Sequence, residues 1–140
     1  MRSKWILGTL AIGALALLVQ AVPAMAHHAF GAEFDADAPI QLTGPIVKLE
    51  WVNPHSWIHI EVINEDEEVF IWAIECGAPN SLMRRGLNKN SIPLGTELVI
   101  DGFGAKDGSN TANARDITLP DGSRFFVGSS GTGAPYDRPR

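Results

Sequence analysis

Four histidines are the side chains of this sequence best suited to bind a metal ion, and they fall into two pairs. His27 and His28 are adjacent near the start of the chain, and His55 and His59 come later, on either side of Ser56-Trp57-Ile58. Imidazole nitrogens in a roughly planar array favour copper among the common metals. The sequence therefore raises the question of whether the fold brings the two pairs together around one ion.

The stretch that precedes the first pair predicts where the mature protein begins. Two basic residues are followed by an apolar run over Trp5–Val19, and Ala24-Met25-Ala26 then supplies small residues at the spacing of a cleavage site. This order is typical of a secretory signal peptide. The alternative, a retained membrane anchor, is disfavoured because a spanning helix needs ~20 apolar residues. We predict export to the periplasm or the medium, with residues 1–26 removed.

Cleavage after Ala26 would give His27 a free amine beside its imidazole, and together these two groups can grip Cu(II). A third nitrogen from another histidine would complete the arrangement known as a histidine brace. His28 offers a second route, through its imidazole, the terminal amine and its backbone nitrogen. Cleavage after Ala24 would place His27 third in the chain, which is another copper-binding arrangement. The competing interpretation is that both histidines form a solvated end left by processing.

The third nitrogen would come from the second pair. His55 lies in the turn around Asn53-Pro54, whereas His59 lies within a predicted strand, so His55 is favoured as the more accessible of the two. The simpler alternatives are that His55 hydrogen-bonds the backbone in a tight turn and that His59 faces solvent. Three carboxylates near these elements could accept a hydrogen bond from a metal-binding imidazole. They are Glu50, Glu61 and Glu75.

A second class of function comes from the tryptophans. Trp51 and Trp57 could stack a flat ligand on the face of a barrel, although tryptophans in a domain of this size are commonly core residues. The alternative function is thus a metal-free ligand-binding or protein-interaction module. Ser56 and Ser81 have no nucleophile-elbow context, and no glycine-rich phosphate loop opens a helix, so the sequence does not predict an enzyme.

The charge of the chain limits the classes of partner that we expect, and its cysteine content excludes a disulfide within the chain. Without its first 26 residues the chain keeps nine basic and sixteen acidic side chains. Nucleic acid and anionic membranes are poor partners for such a protein, because phosphate contacts need clustered Lys and Arg. We therefore predict a metal ion or small ligand as partner, and no membrane association after cleavage. Cys76 is the only cysteine, so no disulfide forms within the chain, and we expect it to pack as a small apolar residue.

Apolar and polar residues alternate with a period of two along most of the mature chain, which predicts strands. The predicted strands cover 40–51, 57–62, 69–75, 97–103 and 114–119, with a return arm at 124–127. A short helix follows Gly77-Ala78-Pro79, between the third and fourth strands. This order is the layout of a small all-β, OB-like Greek-key barrel, with another small sandwich or roll as the alternative.

The same alternation predicts which residues face the core. Val47, Leu49 and Trp51 should share one face of the first strand, and the third strand should be buried on both faces. Residues 27–39 should form an extended arm, tied to the body by Phe30 and Phe34. The barrel domain should cover 40–127, and the Gly-, Ser- and Pro-rich stretch 128–140 should be a disordered tail.

Several motifs of this sequence together resemble a known family. They are His27-His28-Ala29-Phe30, Glu50-Trp51-Val52-Asn53-Pro54-His55-Ser56-Trp57, Gly77-Ala78-Pro79-Asn80 and Leu119-Pro120-Asp121-Gly122. The family consists of small exported bacterial proteins and is catalogued as a domain of unknown function, and the resemblance covers nearly the whole mature chain. It implies a periplasmic, β-barrel-like domain and no established activity or substrate.

Overall fold

The computed structural model describes residues 30–129 and residue 132. The chain divides after Ala32 into two units, and every strand belongs to the second unit, Glu33–Arg140. The predicted signal peptide, the two N-terminal histidines and most of the predicted disordered tail lie outside the described residues. Residues 30–33 are helical. Within the described part of the chain, no helix has the length and apolar character needed to cross a membrane.

From Phe34 onward the described residues form six strands and one short helix. In chain order they are β1 (Phe34–Glu50), β2 (Trp57–Ile63), β3 (Val69–Glu75), α1 (Pro79–Arg84), β4 (Glu97–Ala105), β5 (Thr111–Thr118) and β6 (Arg124–Phe126). The sheet has the order β3-β2-β1-β4-β5-β6, and neighbours in this order are antiparallel. In addition, the end of β3 pairs in parallel with the start of β5. The predicted all-β class is confirmed.

The first strand begins earlier than the side-chain pattern predicts. β1 starts at Phe34 rather than at residue 40, so the second half of the predicted arm is part of the sheet. Phe34 pairs with Ala105 on β4 and its ring is buried, which confirms its predicted role as an anchor. The register then shifts before Pro39. Backbone pairing and one buried ring are enough to extend the strand, although the alternation of Asp35 and Asp37 with the small side chains of Ala36 and Ala38 is only a weak apolar signal.

A β-bulge corrects the predicted inward face of β1. Ile46 pairs with Ile60, but the next paired residue is Lys48, opposite His59, so Val47 is the extra residue. A bulge of this kind reverses the alternation of faces from that point on. Ile46 is consequently 2% exposed and Val47 is 42% exposed, so the prediction that Val47 faces the core is wrong.

The inward face of β2 is as predicted, whereas that of β3 is not. Ile58 and Ile60 are completely buried, as the alternation along β2 indicates. On β3, Ile74 is buried but Val69 and Ile71 are about half exposed, so the prediction of burial on both faces is wrong. The reason is that successive side chains of a strand point to opposite faces, and Val69 and Ile71 lie on the face of β3 away from the core, whereas Ile74 lies on the core face.

A single apolar core joins the strands to α1. Its central members are almost fully buried: Ile46, Ile58, Ile60, Ile74, Cys76, Leu82, Leu87, Ile92, Leu98, Ile100, Ala112, Ala114, Ile117 and Val127. Cys76 is thus the small buried residue that the sequence predicts. Trp51 and Trp72 are partly buried and pack against this core. The core positions the β1–β2 turn and the ends of β3 and β5, where the candidate site lies.

Candidate functional site

The turn between β1 and β2 is held against the end of β3 by two backbone hydrogen bonds. The Ser56 N–H donates to the Gly77 carbonyl at 3.1 Å, and the Cys76 N–H donates to the Ser56 carbonyl at 2.8 Å. These bonds place His55 beside Glu75, with 2.8 Å between Nδ1 of the imidazole and Oε1 of the carboxylate. The Asn53-Pro54 peptide bond that leads into this turn is cis. His55 therefore bonds a carboxylate and not the backbone, contrary to the simpler alternative.

Glu75 is held in turn by a residue that sequence reasoning did not single out. The parallel pairing of β3 with β5 sets Asn113 opposite Glu75, and Asn113 Nδ2 donates to Glu75 Oε1 at 3.1 Å. Both side chains are buried. The carboxylate is therefore fixed from two sides, and its orientation determines that of the imidazole.

This arrangement selects one tautomer of His55. A carboxylate only accepts hydrogen bonds, so Nδ1 carries the proton that it shares with Glu75, and in the neutral imidazole Nε2 keeps its lone pair. An imidazole held through one nitrogen by a carboxylate, with the other nitrogen available, is the usual arrangement of a metal-binding histidine. Chemically, His55 is prepared to supply one nitrogen ligand.

The electrostatics of Glu75 locate the segment that enters β1. Burial raises the pKa of the Glu75 carboxyl, the imidazole of His55 opposes this rise, and the carboxylate of Glu33 adds to it. Glu33 is also fixed to the strands, because its carbonyl accepts a 2.9 Å hydrogen bond from the Lys106 N–H. The chain at residue 33 therefore runs close to the His55–Glu75 pair.

The second histidine of this region forms a separate pair. His59 Nε2 lies 2.8 Å from Glu50 Oε2, and Lys48 Nζ lies 2.8 Å from the other oxygen of the same carboxylate. The hydrogen bond from Lys48, followed by that from His59, lowers the pKa of Glu50. The His59 side chain is 18% exposed, against 36% for His55, and each imidazole has one ring nitrogen bonded to a glutamate. The structure thus favours His55 over His59 as a ligand.

The predicted site residues are only partly brought together. Two of the three carboxylates named above, Glu50 and Glu75, each bond a histidine, as expected. They bond different histidines, so His55 and His59 do not share a carboxylate. Across residues 30–129 no three metal-ligating side chains converge on one point. His27 and His28 lie outside the described residues, so their meeting with His55 stays a prediction.

The tryptophans occupy different surroundings. Trp57 is partly buried on β2, with Glu50 opposite it on one side and Glu75 on the other. Trp51 packs against the core and also lines a groove at the surface. Of the two predicted ligand-binding tryptophans, Trp51 is thus the one that faces a concave surface.

A small cavity of about 210 Å³ lies next to His55. Its wall is formed by Pro54, His55, Gly77, Ala78, Ser81, Arg85, Gly128 and Ser129. Arg85 donates to the Gly128 carbonyl at 3.0 Å and lies over the ring of Phe126, 4.7 Å from its centroid. The arginine thereby ties the segment after β6 to α1, and no spacing in the sequence predicts this contact.

Cys76 is next to Glu75 but takes no part in the chemistry of the site. Burial, with a further contribution from the Glu75 carboxylate, raises the pKa of its thiol. Because the thiolate is the reactive form, we expect a thiol reagent to label the folded protein about 100-fold or more slowly than the unfolded chain. Labelling with Ellman's reagent, with and without denaturant, measures this ratio. Rapid labelling of the native protein would contradict the buried position of Cys76.

The described residues thus define an all-β domain with an accessible histidine, His55. This histidine is bonded to the buried carboxylate of Glu75, which in turn accepts a hydrogen bond from the buried amide of Asn113. The chain belongs to a family of unknown function (DUF6152), whose model matches residues 15–114. Comparison with curated proteins gives no match, and comparison with solved structures gives none either. The family resemblance expected from the motifs is confirmed in this form, and it assigns no activity.

Proposed function

We propose that this chain is an exported periplasmic protein that binds copper through the N-terminal histidine of its mature form, with His55 as the third nitrogen donor. The observation that carries the proposal is the 2.8 Å contact between His55 Nδ1 and Glu75, which leaves Nε2 for a metal. Copper suits an amine and imidazole donor set. The role is metal handling or accessory binding, without catalysis.

The length of chain before β1 supports a meeting of the N-terminus with His55. Glu33 acts electrostatically on Glu75, which bonds His55, so the chain passes near the site at residue 33. Residues 30–33 are helical and rise ~1.5 Å per residue, while each residue of extended chain adds at most ~3.3–3.6 Å, so His28 can reach about 12 Å from residue 33 and His27 about 15 Å. This short span of chain supports the proposal that one of the two histidines places a nitrogen beside His55.

The barrel is part of the same proposal. β3 pairs with β2 on one side and with β5 on the other, which supports a sheet that closes in the order β1-β2-β3-β5-β4. With α1 between β3 and β4, this order is that of an OB-like Greek-key barrel. The β1–β2 turn that carries His55 then lies at a mouth of the barrel, where ligands commonly bind.

A second candidate is a metal-free binding module. The observation that favours it is the groove beside Trp51, because Trp57 lies between two carboxylates instead. The two candidates are compatible, since the groove and the cavity at His55 have no lining residue in common among the residues described.

The copper proposal is tested by moving the terminal amine. The protein is expressed with its first 26 residues, the periplasmic form is identified by mass, and Cu(II) is titrated while EPR spectra are recorded. A matched form carries four Gly and Ser residues before His27, so that both imidazoles remain but the amine is displaced. We expect this extension to weaken Cu(II) binding by about 100-fold or more, since even loss of an outer hydrogen bond costs 10–100-fold.

Two results would count against the proposal. One is a periplasmic form that still carries residues 1–24, because its amine would be far from His27. The other is a Cu(II) affinity and an EPR spectrum that the extension leaves unchanged. The mature form and the extended form should unfold at the same denaturant concentration without metal, which separates ligand loss from misfolding.

A further inference from the structure

A groove on the surface around Trp51 is assigned no role by the copper proposal. It consists of two adjoining hollows of about 640 and 510 Å³, and both are lined by Trp51, Lys89 and Asn90. Pockets that bind small organic molecules have volumes of about 300–1,000 Å³. The groove is therefore of the right size for a small molecule.

The wall of this groove is mainly apolar. Ile92 lines the larger hollow and belongs to the core, while Trp51 lines both hollows and packs against the core. At the rim, Leu94 is 63% exposed and Met83 is 49% exposed. Contiguous exposed apolar surface, unlike single scattered side chains, marks binding surfaces and ligand grooves. Because the wall is apolar, we expect a ligand of this groove to contain a hydrocarbon portion.

The charges at this groove are all positive. Lys48 and Lys89 line it, and no carboxylate does among the described residues, although the whole chain has a formal charge of −5. Lys48 is paired with Glu50 at 2.8 Å, but both side chains are well exposed to solvent. Exposed ion pairs contribute little free energy, so Lys48 can exchange this partner for a ligand. Lys89 borders both hollows.

We propose that the groove binds a free fatty carboxylate, with its hydrocarbon chain along Trp51 and its carboxylate on Lys89 and Lys48. An apolar body matches the wall, and one anionic end matches the two lysines. A sugar would leave the apolar rim wet, and a nucleic acid would need more cations than two. This site is independent of the copper proposal.

The probe for the test is laurate, added to the mature protein and followed by isothermal titration calorimetry. Dodecyltrimethylammonium has the same chain length and the opposite charge, and we expect it to bind at least about tenfold more weakly than laurate, because it would face two lysines. Amide chemical shifts of the residues around Lys89–Leu94 should move on addition of laurate. Equal affinity for the two amphiphiles would overturn the proposal. Changes in amide chemical shift confined to residues outside the groove would also overturn it.

Variants locate the two ends of the ligand. Lys89→Glu should weaken laurate binding by at least about tenfold, whereas Lys106→Glu, with the same change in net charge outside the groove, should leave it unchanged. Leu94→Asp tests the apolar rim. Because Leu94 is exposed, we expect this change to leave the folding of the domain unaffected. Equal effects of Lys89→Glu and Lys106→Glu would show attraction by net charge alone and would sink the proposal.

Discussion

Replacing His55 by alanine should lower the affinity of the mature protein for Cu(II) by about 100-fold or more, because a direct nitrogen ligand is lost. Replacing His59 should leave the affinity within about threefold, since its side chain is only 18% exposed, against 36% for His55. The two residues form a matched pair, because each imidazole lies 2.8 Å from a glutamate oxygen. Calorimetric titration with Cu(II), in competition with a chelator of known strength, measures both variants.

The Glu75→Gln variant tests how much the charge of this carboxylate contributes to Cu(II) binding by His55. The amide oxygen can still accept a hydrogen bond from His55 Nδ1, but the charge that makes the imidazole a better donor is removed. We expect a loss of about tenfold in Cu(II) affinity, between the effects of the two histidine variants. Equal losses for His55→Ala and His59→Ala, or no loss for His55→Ala, would remove His55 from the site.

The second large effect is expected at Gly102. This residue lies on β4, where the pairing with β5 shifts register after Asp101. A Cβ at position 102 would run into the Asn113 carbonyl and would lie 3.1 Å from the Ala114 Cα. Both are backbone atoms of a paired strand and cannot move without loss of hydrogen bonds. We expect Gly102→Ala to lower the free energy of unfolding by about 2–3 kcal/mol.

Gly104 on the same strand provides the control. A Cβ there would meet only the side chain of Ile40, at 3.8 Å, which is an ordinary contact. Gly104→Ala should change the free energy of unfolding by less than about 1 kcal/mol, with a gain from reduced freedom of the unfolded chain. Urea unfolding followed by tryptophan fluorescence measures both variants. Similar midpoints for the two would show that β4 and β5 are not in such close contact.

The strand that carries Asn113 links this stability prediction to the site. Asn113 holds Glu75, and Glu75 holds His55. A shift of β5 at Gly102 would therefore disturb the imidazole as well as the fold. For Gly102→Ala, Cu(II) affinity should be measured at a temperature where the variant is folded.

Local pattern alone was enough to predict much of this domain. The alternation over Trp57–Ile63 identifies β2 and its buried Ile58 and Ile60, because side chains of a strand alternate between core and solvent. The end of β3 and the start of the short helix after it follow from Gly77 and Pro79. The family motifs and the choice of His55 as an accessible histidine also come from neighbouring residues. Each of these features depends on contacts made within a few residues.

The remaining features depend on contacts between distant parts of the chain, which only the tertiary structure decides. The exposure of Val47 follows from a bulge against β2, and the early start of β1 follows from backbone pairing with β4. The hydrogen bond from Asn113 to Glu75 requires the parallel pairing of β3 with β5. Side-chain type does not specify which backbone an edge will pair with, so these contacts carry no signal in the sequence. The sequence thus singled out the candidate histidines and tryptophans and predicted a compartment, whereas the fold decided that His55 is bonded to Glu75 and Glu75 to Asn113.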